Sequence, residues 1–227
     1  MTGAPVIAID GPSGSGKGTV GRRVAAALGW HLLDSGALYR LVGLAGARAG
    51  LAPADEAGHA RIAVAMDVSF GSSPNGDQTV LLGTEDVTAA IRSETAGNRA
   101  SHVASFPAVR TALAGRQRRF ARPPGLVADG RDMGSVIFPN AVLKVYLTAS
   151  ATERAQRRLR QLRAQGLEAD LASVTREIAA RDHRDTTRSV APLIAAPGAV
   201  ALDSTQLTPE AVVARILELA RQRGVGS

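Results

Sequence analysis

Short apolar runs alternate with longer amphipathic stretches along most of the chain. Runs of this kind are typical of strands in a parallel sheet, which are buried on both faces. They occupy residues 5–10, 30–34, 126–129, 142–148 and 200–203. Helical patterns cover residues 19–28 and 38–51, and two further helices are predicted to begin at Ser150 and Thr208. The alternation predicts an α/β fold of three layers, in which helices cover both faces of a five-stranded parallel sheet.

Two stretches interrupt this alternation. Residues 66–88 contain two short strand patterns on either side of a turn at Ser73-Pro74-Asn75-Gly76, which predicts a small antiparallel insert within about 60–105. Residues 154–188 are helical in pattern but strongly charged, with few large apolar side chains, as expected of an arm or lid. Because 227 residues suit one mid-sized domain, we expect a single domain over 1–227 that carries both features.

The composition excludes several classes of site and location. The chain has no cysteine, so it contains no disulfide scaffold, thiolate zinc site or cysteine nucleophile. Met1-Thr2-Gly3 lacks the basic region of a signal peptide, and the longest uncharged run, residues 189–202, is too short to span a bilayer. We therefore expect a soluble, cytoplasmic protein.

The net charge of +7 comes almost entirely from arginine, since Lys17 and Lys144 are the only lysines. Arginine suits bidentate binding of phosphate and carboxylate groups, although a general bias in composition explains its abundance equally well. The charge indicates an anionic partner without identifying it. Aromatic residues make up only 3% of the chain, so there are few surfaces on which the bases of a single strand would stack.

A glycine-rich loop follows the first predicted strand and opens the first helix, as a phosphate-binding loop does. The loop consists of Gly11, Pro12, Ser13, Gly14, Ser15, Gly16, Lys17, Gly18 and Thr19. Its backbone N–H groups would surround phosphate oxygens, and Lys17, which we expect in a solvated loop, would add a positive charge. The expected metal is Mg²⁺ bridging the phosphates. The pattern departs from G-K-[ST] because Gly18 follows the lysine and Thr19 comes one residue later.

The loop resembles that of nucleoside monophosphate kinases, and four other motifs narrow the resemblance to the bacterial cytidylate kinases. The motifs are LDSGALYR at 33–40, FPAVR at 106–110, ADGRDMG at 128–134 and RDHRDTTR at 181–188. They occur in the order of that family, and the resemblance extends from the first strand to the last helix. It implies a P-loop NTPase-type fold with a nucleoside-monophosphate-binding insert and a helical lid at about 154–188.

Considered alone, several residues in these motifs admit two interpretations. Ser35 suits a helix cap, and Asp129 closes a strand where P-loop proteins place the acid that organises Mg²⁺, although a structural role in a tight turn also fits. Arg131 and Asp132 lie beyond the end of the same strand, where open α/β sheets bind ligands, but they could simply pair with each other. Arg181, Asp185 and Arg188 would share one helical face, either in a site or in a surface ladder of ion pairs.

The resemblance implies transfer of phosphate from ATP to CMP and dCMP, giving CDP and dCDP. It implies catalytic roles for Lys17, Arg131 and Arg188, and Mg²⁺ held by Thr19 and Asp129, directly or through water. The implied acceptor-binding residues are Ser35, Arg40, Ser101, Arg110, Asp129, Arg131, Asp132, Arg181, Asp185 and Arg188. Arg40 and Arg188 would bind the acceptor phosphate, Arg181 and Asp185 the ribose, and Ser101, Arg110 and Asp132 the cytosine. We also expect a monomer without nucleic-acid or membrane partners.

Two alternatives remain at this stage. One is a kinase for UMP, AMP or a non-nucleotide acceptor, although the D-G-F-P-R turn usual in AMP kinases is here replaced by Asp129-Gly130-Arg131-Asp132. The other is a P-loop ATPase that binds RNA through its basic arm. Most arginines between 154 and 163 suit a solvated helix face, and the sequence does not identify those that approach the donor phosphates.

Overall fold

The computed structural model describes residues 3–72, 78–164, 166 and 168–225. In chain order its elements are β1 (Val6–Asp10), α1 (Lys17–Leu28), β2 (His31–Asp34), α2 (Ser35–Arg48), α3 (Glu56–Ala65), β3 (Val68–Ser72), β4 (Gln78–Leu82), β5 (Glu85–Asp86), α4 (Thr88–Arg92), α5 (Glu94–Val103), α6 (Pro107–Arg118), β6 (Leu126–Gly130), a π-helical turn (Met133–Ile137), β7 (Leu143–Thr148), α7 (Ala151–Ala164), α8 (Leu171–Thr187), β8 (Val200–Asp203) and α9 (Pro209–Gln222). The chain forms two compact units, the first from Met1–Asp34 with Gln117–Ser227 and the second from Ser35–Arg116.

The first unit contains a five-stranded parallel sheet in the order β2-β6-β1-β7-β8. All five apolar runs of the sequence form its strands, so the prediction of an α/β fold with a five-stranded parallel sheet is confirmed. The strands β1 and β6 are buried along their whole length, which explains why they lack a polar face. Because every strand runs the same way, their carboxyl ends share one edge, where ligands bind in open α/β sheets.

One face of this sheet packs against α1 and α9. Ile7 and Ile9, which alternate onto the same face of β1, contact a cluster that includes Val24 of α1 and Ile216 of α9. The last helix begins as the sequence predicts, because the Thr208 side chain accepts from the Ala211 N–H at 3.3 Å and proline occupies the first turn. Among the described residues no helix is long and apolar enough to cross a membrane.

The second unit contains the antiparallel sheet β3-β4-β5, so the predicted hairpin strands are present. The predicted turn at Ser73-Pro74-Asn75-Gly76 lies outside the described residues. The compact unit extends beyond the 60–105 expected for the insert, because it also includes α2, α3 and most of α6. Helices α2 and α5 pack closely at Gly43, where an added Cβ would lie 2.8 Å from the Arg99 side chain.

The charged stretch at 154–188 is divided into two helices, α7 and α8, which pack against each other in the first unit. Their contact is a small apolar cluster of Ala155, Leu162, Val174 and Ile178. The pair therefore has a core of its own, although the sequence offers few large apolar side chains there.

Candidate active site

The glycine-rich loop connects β1 to α1 at the carboxyl edge of the sheet. Gly14 and Gly16 have φ values of 76° and 94°, a region that glycine adopts without strain. Gly11 is required by close packing, since a Cβ there would lie 1.9 Å from the backbone oxygen of Leu147. The glycines thus fix a tight loop directly before a helix N-terminus, which is the geometry that binds phosphate.

Lys17 is the first residue of α1 and folds back over the loop. Its Nζ donates to the Pro12 oxygen at 2.8 Å and to Ser15 Oγ at 3.4 Å. The side chain is buried, with 6% exposure, so the expectation of a solvated loop at this position is wrong. Burial and the nearby Arg131 lower the pKa of Lys17 to about 7, whereas Asp129 raises it. An anionic ligand bound beside Lys17 would favour the protonated form of this lysine and so raise its pKa again.

Asp129 lies at the end of β6 next to the first turn of α1. A Cβ on Gly18 would lie 3.4 Å from its Oδ2, so the glycine that departs from the common motif lies directly against this carboxylate. The pKa of Asp129 is raised to about 7, because burial and the nearby Asp34 raise it by more than Lys17 lowers it. A cation would relieve this cost of burial.

The donor set around Asp129 fits Mg²⁺ held largely by phosphate and water. In the part of the chain that the structure describes, no group of three or more His, Cys, Asp or Glu side chains forms a metal site. Mg²⁺ commonly takes one or two protein oxygens and keeps the remaining positions for water and substrate phosphates. A buried acid beside a phosphate-binding loop meets that requirement.

Two ion pairs connect the turn after β6 to the end of α8. Arg131 Nε donates to Asp185 Oδ2 at 2.7 Å, and Arg188 Nη2 lies 3.8 Å from Asp132 Oδ1. Three of these four side chains are at most 5% exposed, and Arg131 is 18% exposed. From the sequence alone, Arg131 and Asp132 could pair with each other. In the structure each instead pairs with a residue of α8 or its C-terminal end that is more than fifty positions away in the chain.

Asp185 and Arg181 of α8 belong to the same cluster of charges. Burial raises the pKa of Asp185, but Arg131, Arg181 and Arg188 together outweigh this effect, so its pKa is lowered. Arg181 also lowers the pKa of Lys17, which places it within electrostatic range of the phosphate loop. The first unit therefore brings together the predicted site residues Lys17, Asp129, Arg131, Asp132, Arg181, Asp185 and Arg188.

Two arginines of α7 also contact the loop. Arg154 is buried and donates to the Ser13 oxygen at 3.0 Å, to Asp182 Oδ2 at 2.5 Å and to the Ala149 oxygen. Arg157 Nη1 lies 3.3 Å from the Ser15 oxygen. The sequence does not distinguish these two arginines from the others of the run. The structure does, since the side chain of Arg160, for example, is 66% exposed.

Ser204, directly after β8, joins this arrangement. Its Oγ lies within hydrogen-bond distance of the oxygens of Thr148 and Ser15, and it also contacts Arg157 Nη1 at 3.0 Å. Arg157 Nη2 donates to the Ser204 backbone oxygen at 2.7 Å. Nothing in the sequence distinguishes Ser204, because a serine after a strand is common in any loop.

Asp10 is a second residue of the site that was not predicted from the sequence. Its carboxylate is 3% exposed and accepts from the N–H groups of Met133 and Gly134, both at 2.8 Å. Burial raises its pKa to about 6, although the two backbone hydrogen bonds lower it. An acidic residue at the end of an entirely apolar strand is the signal in the sequence that could have identified it.

The remaining predicted acceptor residues belong to the second unit. Ser35 is the first residue of α2, and Arg40 in the same helix donates to the Ile91 oxygen at 2.7 Å. Ser101 is buried in α5. Arg110 of α6 is buried, donates to the Ala104 oxygen at 3.2 Å and lies 5.7 Å from the centre of the Tyr39 ring.

Comparison with known proteins identifies the family of this chain. The family model described as cytidylate kinase matches residues 7–222. A protein of Pseudomonas savastanoi pv. phaseolicola named cytidylate kinase is 56% identical over 223 residues, which are 98% of this chain and 97% of its own. Proteins of the same name from Azotobacter vinelandii (57% identity, 93% of both chains) and Edwardsiella ictaluri (52% identity, 96% of both chains) also match. The chain therefore belongs to the cytidylate kinase family.

Proposed function

We propose that this protein transfers the γ-phosphoryl group of ATP to CMP and dCMP, giving ADP with CDP or dCDP. Family membership over nearly the whole chain supports the reaction. The observation that carries it in the structure is the buried network of Arg131–Asp185 and Asp132–Arg188. Because this network lies in the same unit as a phosphate-binding loop, it supplies charged and directional groups for an acceptor that is itself a phosphate ester.

The reaction needs little acid–base chemistry. The attacking group is an oxygen of the acceptor phosphate, which is already anionic at neutral pH, so catalysis consists mainly of positioning and charge neutralisation. We assign neutralisation to Lys17, Arg131 and Arg188. Asp129 and Thr19 would hold Mg²⁺, directly or through water, and the ion would supply further neutralisation of the phosphates. Closure of α7 and α8 as a lid would exclude water, which otherwise competes as an acceptor.

The acceptor nucleotide offers three parts that these side chains suit. Arg40 and Arg188 would bind its phosphate, and Arg181 and Asp185 its sugar hydroxyls. Ser101, Arg110 and Asp132 would bind the base. Cytosine presents acceptors at O2 and N3 and a donor at N4, which match the guanidinium donors of Arg110 and the acceptor oxygens of Asp132.

The donor would bind along the loop from Gly11 to Thr19. Arg154 and Arg157 would hold this loop in shape, since both donate to its backbone oxygens. The sequence leaves open which arginines of the run approach the donor phosphates, and we assign this position to Arg154 and Arg157. The lid role, the single-domain organisation, the monomeric state and the cytoplasmic location stay predictions, and light scattering on the purified chain tests the monomer.

A coupled assay of ADP release separates the proposed activity from the alternatives. CMP, dCMP, UMP and AMP are compared at fixed ATP and Mg²⁺, each with and without a single-stranded RNA. We expect kcat/KM for CMP to exceed that for UMP by about a thousandfold, because a carboxylate facing the uracil O4 is left without a donor. ATP hydrolysis that depends on RNA and not on CMP would support the RNA-binding ATPase instead.

Asp132→Ala tests the assignment of the base. It removes the acceptor for the cytosine amine together with the repulsion of uracil O4, so CMP use should fall much further than UMP use. Glu168→Ala, which removes an exposed carboxylate between α7 and α8, is the matched control and should leave the CMP/UMP ratio unchanged. An equal loss for both substrates in Asp132→Ala would remove this residue from base recognition.

A further inference from the structure

Asp10 connects the phosphate loop to the turn that carries Asp132. In the chain Asp10 is followed directly by Gly11, the first residue of the loop. Its side chain reaches the turn after the neighbouring strand β6, where it accepts hydrogen bonds from the N–H groups of Met133 and Gly134. These are the two residues that follow Asp132. Two hydrogen bonds of 2.8 Å to one buried carboxylate fix the position and direction of the backbone at this point.

The turn after Asp132 depends on this anchor at its start. The Asp132 backbone oxygen accepts from Val136 at 2.9 Å and from Ile137 at 3.2 Å, which closes a wide π-helical turn. The first N–H groups of such a turn have no partner within it, and here Asp10 satisfies two of them. The Asp132 side chain therefore projects from a backbone that Asp10 and the turn hold on its C-terminal side.

Only a carboxylate satisfies both donors. Two N–H groups converge on its two oxygens, whereas asparagine offers one oxygen and would turn its own N–H₂ group towards the second donor. The substitution Asp10→Asn preserves shape but leaves one buried N–H without an acceptor, and the turn must shift to relieve this mismatch.

We propose that Asp10 is a positioning residue for base selectivity, which holds the Asp132 carboxylate in the place where it distinguishes cytosine from uracil. This inference rests on the proposed function, because it assumes that Asp132 contacts the base. It assigns to Asp10 no contact with either nucleotide. The role is distinct from support of the fold, which would affect all substrates alike.

The test measures kcat/KM for CMP and UMP in the wild type, Asp10→Asn, Asp132→Ala and the double variant. In Asp10→Asn we expect the CMP/UMP ratio to narrow by about tenfold or more, with KM for ATP within about twofold of the wild type. In the Asp132→Ala background the same substitution should leave the ratio unchanged, because the carboxylate that Asp10 positions is absent. Asp86→Asn, an exposed acid at the end of β5, is the control.

Circular dichroism accompanies each measurement, and Asp10→Ser replaces Asp10→Asn if the latter does not fold. An equal loss for CMP and UMP, or an unchanged ratio, would overturn the inference while CMP phosphorylation by the wild type stands. An unchanged ratio in Asp132→Ala would overturn both the inference and the base assignment. A wild type that does not phosphorylate CMP would instead refute the proposed function itself.

Discussion

Asp10 should make the stability of this protein depend on pH in the direction opposite to that of a salt-bridged aspartate. Burial raises its pKa from 3.8 to about 6. The folded state therefore retains a proton that the unfolded chain releases, so the contribution of Asp10 to stability is full below pH 3.8 and is lost as the pH rises through 6. At about 1.4 kcal/mol per pKa unit, the whole effect amounts to about 3 kcal/mol.

The substitution Asp10→Asn removes this titration without adding a charge. Urea unfolding of the wild type and the variant at several values between pH 4.5 and pH 7 gives two free energies of unfolding at each pH. We expect the wild type to lose about 2 kcal/mol relative to the variant across this range. Other groups titrate in both proteins, so their contributions largely cancel in the difference.

The prediction concerns how the free energy of unfolding changes with pH, and not its absolute value at any one pH. At neutral pH the variant loses a hydrogen bond and also avoids burying a charge, and these effects oppose each other. If the two free energies change in parallel from pH 4.5 to pH 7, Asp10 titrates with an ordinary pKa. In that case the N–H groups of Met133 and Gly134 compensate fully for its burial, and the reasoning from desolvation is refuted.

Three further predictions concern residues of the proposed nucleotide site. Lys17→Met should lower kcat by an amount that corresponds to a rise of about 3–5 kcal/mol in activation free energy. It should not lower the free energy of unfolding, because the lysine charge is buried in the folded protein. Near-normal turnover would contradict the role of Lys17. Asp185→Asn should weaken CMP use by about 1–3 kcal/mol while the Kd of ATP, measured by calorimetry, stays constant; an equal change for ATP would assign the residue to the donor. Arg157→Met should raise KM for ATP by about tenfold, whereas the control Arg160→Met, at an exposed position, should not; equal effects would mean that only general charge matters.

The parallel sheet and the phosphate loop could be predicted from the sequence because each depends on local pattern. A strand such as β1, buried on both faces, must be largely apolar, and glycine is required at Gly11 because a Cβ there would lie only 1.9 Å from the backbone oxygen of Leu147. The caps of α7 and α9 were also predictable, since Ser150 and Thr208 accept backbone N–H groups within their own first turns.

The charged contacts of the site could not be predicted in the same way, because their partners are distant in the chain. Arg131 pairs with Asp185, fifty-four positions away, although an acid lies next to it in sequence. Which arginines of α7 approach the loop depends on how the helix is rotated against the sheet, and charge alone does not encode that rotation. The expectation of a solvated Lys17 was wrong because the sequence does not reveal that the loop folds over its own lysine.

The contacts of the loop's carbonyl groups explain how it presents its N–H groups to an anion. The oxygens of Pro12, Ser13 and Ser15 face Lys17, Arg154 and Arg157 respectively. In a trans peptide the carbonyl of one residue and the N–H of the next point in opposite directions. The N–H groups that follow these carbonyls therefore point away from the three cations, so the same contacts that hold the loop also orient its donors. Replacing one of these cations should make the orientation of the loop's N–H groups less fixed, in addition to removing a positive charge. For this reason Arg157→Met is expected to change KM for ATP and not the selectivity for the acceptor base.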